Sequence, residues 1–393
     1  MAAARSSPVR KSRPRFSAML WRIAFSTLLS DRGKLATGLV GVVFSVILVN
    51  IQGGLFFGLM NKASLLVDRS GADIWVGHRG MHNVDFPHNI PSRWLSTVRS
   101  TPGVSDAETL IVGFSEMTLP GGGFEGVTVV GVSPRTELGK AWEIVEGPSD
   151  AIDAPNGVIV DLCDESKLAY PKIGDIREIG GQRARIAGKS HGVLSFLVTP
   201  YVFTTRDRAL QFLGGDPSKC SYILVRVADG ASVAEVCKRI EEKLPAVMAV
   251  PSETYGAISI NFWMTRTGIG LSFGTATVLG LLVGLIMVAQ TLYAMVLDRI
   301  SEFATMKAIG ASERAVLTVL LSQAGAIAVI GVTIGLCLTV LLKVLISKPQ
   351  AAVEIPLWLY VASAMLVSAI CLVASMLPYV RVRRVDPHSV LQG

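Results

Sequence analysis

Four long runs of apolar residues divide the chain. They cover residues 35–60, 269–297, 315–342 and 357–380, and none of them contains Asp, Glu, Lys or Arg. A transmembrane helix needs about 20 apolar residues to cross a hydrocarbon core of roughly 30 Å. A charged residue at its centre would cost at least about 2.5 kcal/mol. The pattern therefore predicts four transmembrane helices.

A polar segment of 208 residues, 61–268, separates the first predicted span from the second. Short β-branched runs bounded by Gly, Pro, Asp or Ser are typical of strands. They occur at 127–132, 157–161, 222–228 and 247–250. The glycine run Gly121–Gly123 lies between two strand-like stretches, so we expect a hairpin there and not a phosphate-binding loop.

Two helices are predicted within the same segment. One follows Ser232 and stops at Pro245, with Ser232 and Glu235 placed to form a capping box. The other begins near Pro91 and ends before Thr101. Each is followed by Pro and a Val-containing stretch, which suggests two related helix–strand units. The predicted fold class is an α-helical integral membrane protein with four transmembrane helices and a large α/β extracytoplasmic domain inserted between helices 1 and 2.

Composition supports this class and excludes others. Of 393 residues, 50% are hydrophobic and only 17% are charged, against about 25% charged in an ordinary soluble protein. The formal net charge is +7. Residues 1–34 hold eight Lys or Arg and one Asp, whereas 61–268 holds 21 basic and 24 acidic residues. Because the excess charge lies in one short arm and not on a folded domain, we expect no nucleic-acid partner.

The basic residues also predict the orientation. Segments 1–34, 298–314 and 381–393 must share a side if four spans alternate, and each contains several Lys or Arg near a span. Positive charge favours the cytoplasm, so both termini and the 298–314 loop are expected inside. The large domain and the 343–356 loop are then outside. A cleaved signal peptide is the alternative for the first run, but that run has 26 residues, well beyond a signal core of 7–15.

The sequence contains no recognisable nucleotide-binding or metalloprotease motif. Neither G-x-x-x-x-G-K-[ST] nor H-E-x-x-H occurs. We therefore expect a non-catalytic chain with no cofactor or metal of its own.

Two minor features leave alternatives open. His78, His82 and His88 surround Asp85 in a stretch that also contains Gly and Pro, which favours a solvated loop over a metal site. Cys220 and Cys237 could form a disulfide in an oxidising compartment, or stay free.

Small residues four apart recur within the spans. Gly280 and Gly284 lie in the second span, and Gly331 and Gly335 lie in the third. Glycines at this spacing let helix backbones approach closely in a membrane. The pattern predicts tight helix packing, either within the chain or against a second copy.

The loop between the second and third spans has an unusual mixture of residues. Its sequence, LDRISEFATMKAIGASERAV over 297–316, mixes apolar and charged positions, and Gly310 is placed to end a short helix. A short amphipathic helix at this point suits docking into the groove of a partner. The alternative is a helix that lies on the lipid surface.

The stretch SEFATMKAIGAS at 301–312 resembles the E-[IF]-[AG]-x-[LM]-[RK]-A-[LI]-G-A-[ST] loop of the MacB/FtsX-like ABC transporter permeases. The tail sequence VDPHSVLQ is similar to the terminal D-P-x-x-x-L element of that family, and the order of spans and domain also matches. The outer segment at 72–76 and 86–94 and the overall size are most similar to the DevC-type permease subunits.

The resemblance implies a permease of the bacterial inner membrane that works as a homodimer with a separate ABC ATP-binding subunit, which binds ATP and Mg²⁺. It further implies a periplasmic adaptor and an outer-membrane channel as partners, with a hydrophobic, glycolipid-like cargo. The loop would then be the coupling element. The residues expected to contact the ATPase are Glu302, Phe303, Met306, Lys307, Gly310 and Ala311.

Two other functions share this topology. One is an FtsX-like regulator that relays ATPase cycling to a cell-wall hydrolase, and the other is a LolC/LolE-like permease that releases lipoproteins. The outer domain of 208 residues is large for a simple regulator, which favours the exporter.

Overall fold

The computed structural model describes residues 31–148, 150–308 and 311–383. The helices in these ranges are α1 (Arg32–Asp68), α2 (Trp94–Arg99), α3 (Arg206–Leu213), α4 (Val233–Lys243), α5 (Ser252–Arg266), α6 (Ile269–Asp298), α7 (Ile300–Ala308), α8 (Glu313–Ile346), α9 (Leu357–Ala374) and α10 (Met376–Arg383). The strands are β1 (Ile74–His78), β2 (Ile90–Pro91), β3 (Val104–Thr118), β4 (Phe124–Val132), β5 (Ile144–Glu146), β6 (Gly157–Asp161), β7 (Ile176–Ile179), β8 (Gln182–Ser190), β9 (Tyr201–Thr205), β10 (Lys219–Cys220), β11 (Tyr222–Val227) and β12 (Val247–Pro251).

These elements form two compact units. The helical unit consists of the described residues within 1–55, 273–347 and 353–393. The α/β unit consists of the described residues within 56–272 and 348–352. Four helical stretches of the described chain are long and apolar enough to cross a membrane, namely Arg32–Asp68, Ile269–Asp298, Glu313–Ile346 and Leu357–Arg383. The chain is thus a multi-pass membrane protein with an α/β domain after its first helix, as the apolar pattern predicts.

The core of the helical unit is formed by side chains from four helices. Val42 and Val46 of α1 pack with Val288 of α6, Ala324 of α8 and Val367 of α9, and all five are buried. Aliphatic interdigitation of this kind stabilises helices in lipid through close packing.

A buried amide adds a polar contact to the helical unit. Asn50 Nδ2 donates hydrogen bonds to Ser363 Oγ and to the carbonyl oxygen of Val46, both at 2.8 Å. Asn50 is fully buried, so these bonds offset the cost of removing its N–H donors from water. Its Oδ1 has no hydrogen-bond partner among the described residues.

The first helix is longer than the predicted span, which ends at Met60. It continues to Asp68, and its last turns carry Leu66 and Val67 into the core of the α/β unit. The helix itself continues because its inner face is still buried.

One part of the α/β unit contains two interleaved β–α–β motifs. The strands lie in the order β12-β1-β11-β3, and each neighbouring pair is antiparallel. Helix α2 connects β1 to β3 and α4 connects β11 to β12, so each motif spans a strand of the other. The two helix–strand units expected from the sequence are therefore present, and they share one sheet.

Strand β3 extends from this sheet into a second part. Its 15 residues pair first with β11 and then, from Ile111 onward, with β4. The second part continues in the order β4-β9-β6-β8-β5, with β4–β9 and β6–β8 parallel. The β3–β4 connection contains the glycine run, so the predicted hairpin is confirmed.

One detail of the sequence prediction is wrong. Ser232 precedes α4, but its side chain forms no capping hydrogen bond. Glu235 pairs instead with Arg239, at 2.8 Å, because an ion pair one turn along the helix competes with the reciprocal cap.

Cys220 and Cys237, whose pairing the sequence leaves open, are both free thiols. Each thiol is buried in the apolar core of the α/β unit, and burial raises the pKa of Cys220 to about 12 and that of Cys237 to about 11. Both behave as small hydrophobic residues.

Candidate coupling site

The loop between α6 and α8 contains the short helix that the sequence predicts. Helix α7 begins one residue after a turn at Arg299 that ends α6. At the other end, Ser312 caps α8 by accepting a hydrogen bond from the backbone N–H of Ala315 at 3.4 Å. A hydroxyl at this position satisfies one of the unpaired N–H groups of the first helical turn. The residues at which α7 and α8 begin are therefore both defined.

One face of α7 is buried inside the helical unit. Phe303 and Ala304 are only 5% and 2% exposed. Phe303 lies in a cluster with residues of α6, α8 and α10, namely Val296, Ala315, Val316, Val319, Leu320 and Val382. The aromatic ring thus fixes α7 to the ends of three other helices. Phe303 was expected to contact a partner, but the structure places it in the protein's own core.

Lys307 holds the same helix to the end of the described chain. Its Nζ donates hydrogen bonds to the carbonyl oxygens of Val382, at 2.8 Å, and Arg383, at 3.1 Å. These are the last residues of α10, where carbonyl groups lack helical partners and a positive charge is favourable. Lys307 therefore acts within the chain.

The opposite face of α7 is polar and exposed. Ser301, Glu302 and Thr305 lie on it. The side chain of Glu302 is 59% exposed, and its carboxylate lies 3.4 Å from the guanidinium of Arg299. A surface pair of this kind contributes little to stability, so the carboxylate can exchange it for another cation.

The remaining predicted coupling residues are less informative. Met306 belongs to α7, Ala311 is half-buried just before the cap of α8, and Gly310 lies outside the described residues. Of the six predicted residues, Glu302 is the one whose described side chain is exposed and charged.

The paired glycines of the second span lie against α1. A Cβ atom added at Gly280 would lie 1.8 Å from the side chain of Leu48, and one at Gly284 would lie 1.9 Å from Ser45 Oγ. Ser45 Oγ also donates a hydrogen bond to the carbonyl oxygen of Gly280 at 3.1 Å. Only glycine permits this approach of α6 to α1.

The glycines of the third span are in contact with the same helix. An added Cβ at Gly331 would lie 2.6 Å from Val42, and one at Gly335 would lie 2.8 Å from Val46. Both glycine pairs thus contact α1 within one chain, and α1 lies between α6 and α8 at these points.

Titratable groups in the described part of the α/β unit form no metal site. The His78 and His88 rings are 5.5 Å apart and the His82 and His88 rings 6.3 Å apart. Within the described ranges, no group of three His, Cys, Asp or Glu side chains is arranged to hold a metal ion.

Asp85, in the same loop, is buried and separate from the histidines. Its carboxylate accepts hydrogen bonds from Trp263 Nε1 at 3.3 Å and Tyr201 Oη at 3.4 Å. Burial raises the pKa of Asp85 to about 6, and these two hydrogen bonds oppose that shift. Sequence reasoning missed this environment because its partners lie more than 100 positions away.

Family models match most of the chain. A model described as the MacB-like periplasmic core domain matches residues 36–243, and one described as the FtsX-like permease C-terminal matches residues 274–387. The first therefore covers α1 and most of the α/β unit, and the second covers the later spans and α7.

Relatives of full length are also similar. An uncharacterised ABC transporter permease of Mycobacterium tuberculosis strain H37Rv is 26% identical over 364 residues, which cover 90% of this chain and 93% of the relative. An uncharacterised ABC transporter permease of Mycobacterium bovis is 26% identical over 367 residues, with the same coverage.

Two solved structures are similar to part of the chain. The periplasmic region of MacB from Actinobacillus actinomycetemcomitans matches with a TM-score of 0.38 and 11% identity, covering 47% of this chain and 91% of that one. The extracellular domain of the noncanonic ABC-type transporter YknZ from Gram-positive bacteria matches with a TM-score of 0.35 and 13% identity, covering 46% and 98%.

Proposed function

Because this chain belongs to the MacB/FtsX-like family of ABC transporter permeases, we propose that it is the membrane subunit of an export system driven by a separate ATP-binding subunit. ATP and Mg²⁺ would bind to that partner, since this sequence has no phosphate-binding loop of its own. This chain would then perform no chemistry and would convert a movement of the ATPase into a movement of its own helices.

The two unlike faces of α7 carry the proposal. The polar face presents Glu302 for docking, and the apolar face is fixed through Phe303 to α6, α8 and α10. A force applied to the polar face would reach three helices through direct packing, because a close-packed cluster transmits displacement with little compression. Lys307 adds a polar link to α10.

The rest of the proposal concerns orientation and partners. The Lys and Arg residues near the spans favour a cytoplasmic location for α7 and both termini. The α/β unit would then be periplasmic, in the bacterial inner membrane, and two copies of the chain would work together. As in the DevC-type subunits that the sequence resembles, the α/β unit would drive a periplasmic adaptor and an outer-membrane channel that export a hydrophobic cargo.

Reversing the charge of Glu302 tests the docking face. Glu302→Lys should reduce recovery of the ATPase with the tagged chain by more than tenfold, because like charges across an interface cost several kcal/mol. The measurement is quantitative co-purification in mild detergent, together with the thermal unfolding midpoint of the purified chain.

Glu242→Lys is the matched control. Glu242 is another exposed helical glutamate, 3.9 Å from Lys238, but it lies on α4 of the α/β unit. It should keep wild-type recovery of the ATPase. Equal recovery with Glu302→Lys and wild type would remove the polar face of α7 from the docking interface.

A further inference from the structure

The loop that joins α8 to α9 has an unexpected location. Residues 348–352 group with the α/β unit, although the two helices that they connect belong to the helical unit. The chain therefore passes between the units at both ends of this loop, in addition to once within α1 and once within α6. What holds the loop to the α/β unit can be read from its contacts.

The main contact is a buried lysine near the end of α1. Lys62 is 7% exposed, and its Nζ donates hydrogen bonds to the carbonyl oxygens of Pro349 and Gln350, both at 2.8 Å. An ammonium group is expensive to bury unless it is hydrogen-bonded. The loop carbonyls thus supply what the lysine needs, and the lysine fixes their position.

A second contact comes from the loop itself. The side-chain amide of Gln350 donates a hydrogen bond to the backbone carbonyl oxygen of Cys163. The backbone N–H of Ala351 bonds the carbonyl oxygen of Lys348 at 2.9 Å and closes a turn. The turn keeps the carbonyls of residues 349 and 350 next to each other, which suits a single ammonium donor.

A buried carboxyl group, that of Asp164, interacts electrostatically with Lys62. Asp164 is 2% exposed and lies 2.8 Å from Lys167. Burial raises the pKa of Asp164, and the charges of Lys167 and Lys62 oppose that shift. Lys62 therefore lies in a buried polar cluster and not on an apolar surface.

We propose that Lys62 is a positioning residue that fastens the 348–352 loop to the α/β unit, so that the connection between α8 and α9 moves with this unit during transport. This inference rests on the proposed function for its role in transport, but not for the contact itself. The fastened loop gives the α/β unit a direct attachment to the α8–α9 pair. Motion produced at α7 would then reach the α/β unit through α1, α6, α8 and α9.

The native thiol of Cys163 allows a direct test. Gln350→Cys places a second thiol near Cys163, whose backbone carbonyl the Gln350 side chain reaches, and leaves the two backbone carbonyls that Lys62 binds unchanged. Oxidation of the full-length chain with copper–phenanthroline in membranes should link residues 163 and 350, and mass spectrometry of the linked peptide measures the yield. The pair Cys163→Ser/Gln350→Cys should give no linked peptide.

Adding Lys62→Met to Gln350→Cys should lower the initial rate of linking about tenfold, since two hydrogen bonds to a charged donor are lost while side-chain volume is kept. Lys348→Met removes an exposed lysine of the same loop and should leave the rate unchanged. A wild-type rate with Lys62→Met, or no link in Gln350→Cys itself, would overturn the proposed contact.

The transport role is tested in the same sample with the ATPase present. If the loop moves with the α/β unit, trapping with ATP and vanadate should leave the yield within about twofold of the untrapped yield, a change worth about 0.4 kcal/mol. A larger drop would show that the loop leaves the unit during the cycle. Absence of the ATPase from the purified complex would count against the proposed function alone, because the linking rates without nucleotide would still report on Lys62.

Discussion

Asp85 has an environment that disfavours its charge. The carboxyl group is buried, and its two hydrogen-bond donors, Tyr201 and Trp263, are both neutral. The protonated form is therefore favoured in the folded chain, with a pKa raised from 3.8 to about 6. Between these two values the unfolded chain releases a proton that the folded chain keeps. The free energy of unfolding thus falls as pH rises through this window. Above pH 6 the folded chain bears the full cost of holding Asp85 as a buried carboxylate.

Asp85→Asn should therefore stabilise the protein at neutral pH. A rise in pKa of about two units corresponds to about 3 kcal/mol, which is an upper limit for the gain at pH 7.5. Wild type should unfold at a higher temperature at pH 5 than at pH 7.5. The variant should show a smaller difference, because Asp164 also has a raised pKa. The measurement is thermal unfolding in detergent, followed by the fluorescence of Trp263 and the other tryptophans.

The exposed Asp229 supplies the control for this experiment. Asp229→Asn should preserve the pH dependence of wild type. Destabilisation of Asp85→Asn at both pH values would mean that the ionised carboxylate is needed in the fold, contrary to this account.

Single residues also show what the sequence could not reveal. The mixture of apolar and charged positions identified α7 as a helix, but it did not reveal that Phe303 faces inward. The burial of Phe303 depends on Val382, which lies 79 positions later in the chain. In the same way, the partner of Lys62 lies 287 positions away, so no local pattern could identify it.

Among the elements, α1 contacts both glycine-bearing helices. Gly284 of α6 lies against Ser45, and Gly331 of α8 lies against Val42 one turn earlier. Because α1 also carries its last turns into the core of the α/β unit, loss of its packing would affect more than one part of the chain.

Gly284→Val should destabilise the helical unit by about 1–3 kcal/mol, because the added atoms overlap Ser45 Oγ and approach the carbonyl oxygen of Gly41. The thermal unfolding midpoint in detergent should fall accordingly. Gly274→Val, in the same helix but with no atom within 4 Å of the added Cβ, should have no such effect. Equal midpoints for the two variants would contradict close packing of α6 on α1.

The strands and helices of the α/β unit were largely predictable. All four predicted strands and both predicted helices are present, because β-branched runs and the apolar stripe of α4 describe local burial directly. The length of β3 was not predictable. Strand β3 belongs to both parts of the sheet because it pairs with β11 in one and with β4 in the other, and both pairings are long-range contacts.

At the scale of the whole molecule, the distribution of basic residues predicts the orientation in the membrane. The Lys and Arg residues that flank the spans predict that the α/β unit lies outside the cytoplasm and α7 inside. An alkaline phosphatase fused after residue 200 should therefore be active, and one fused after residue 308 should be inactive. The reverse pattern would invert the topology.

The central claim is that this chain is the membrane subunit of an ABC system and receives its energy from another protein. The most direct measurement is affinity purification of the tagged chain from its native cell in mild detergent, with every co-purifying protein identified by mass spectrometry. We expect a P-loop ATPase in stoichiometric amount, together with a periplasmic adaptor. Recovery of the chain without any ATPase, under conditions that preserve weak complexes, would contradict the account.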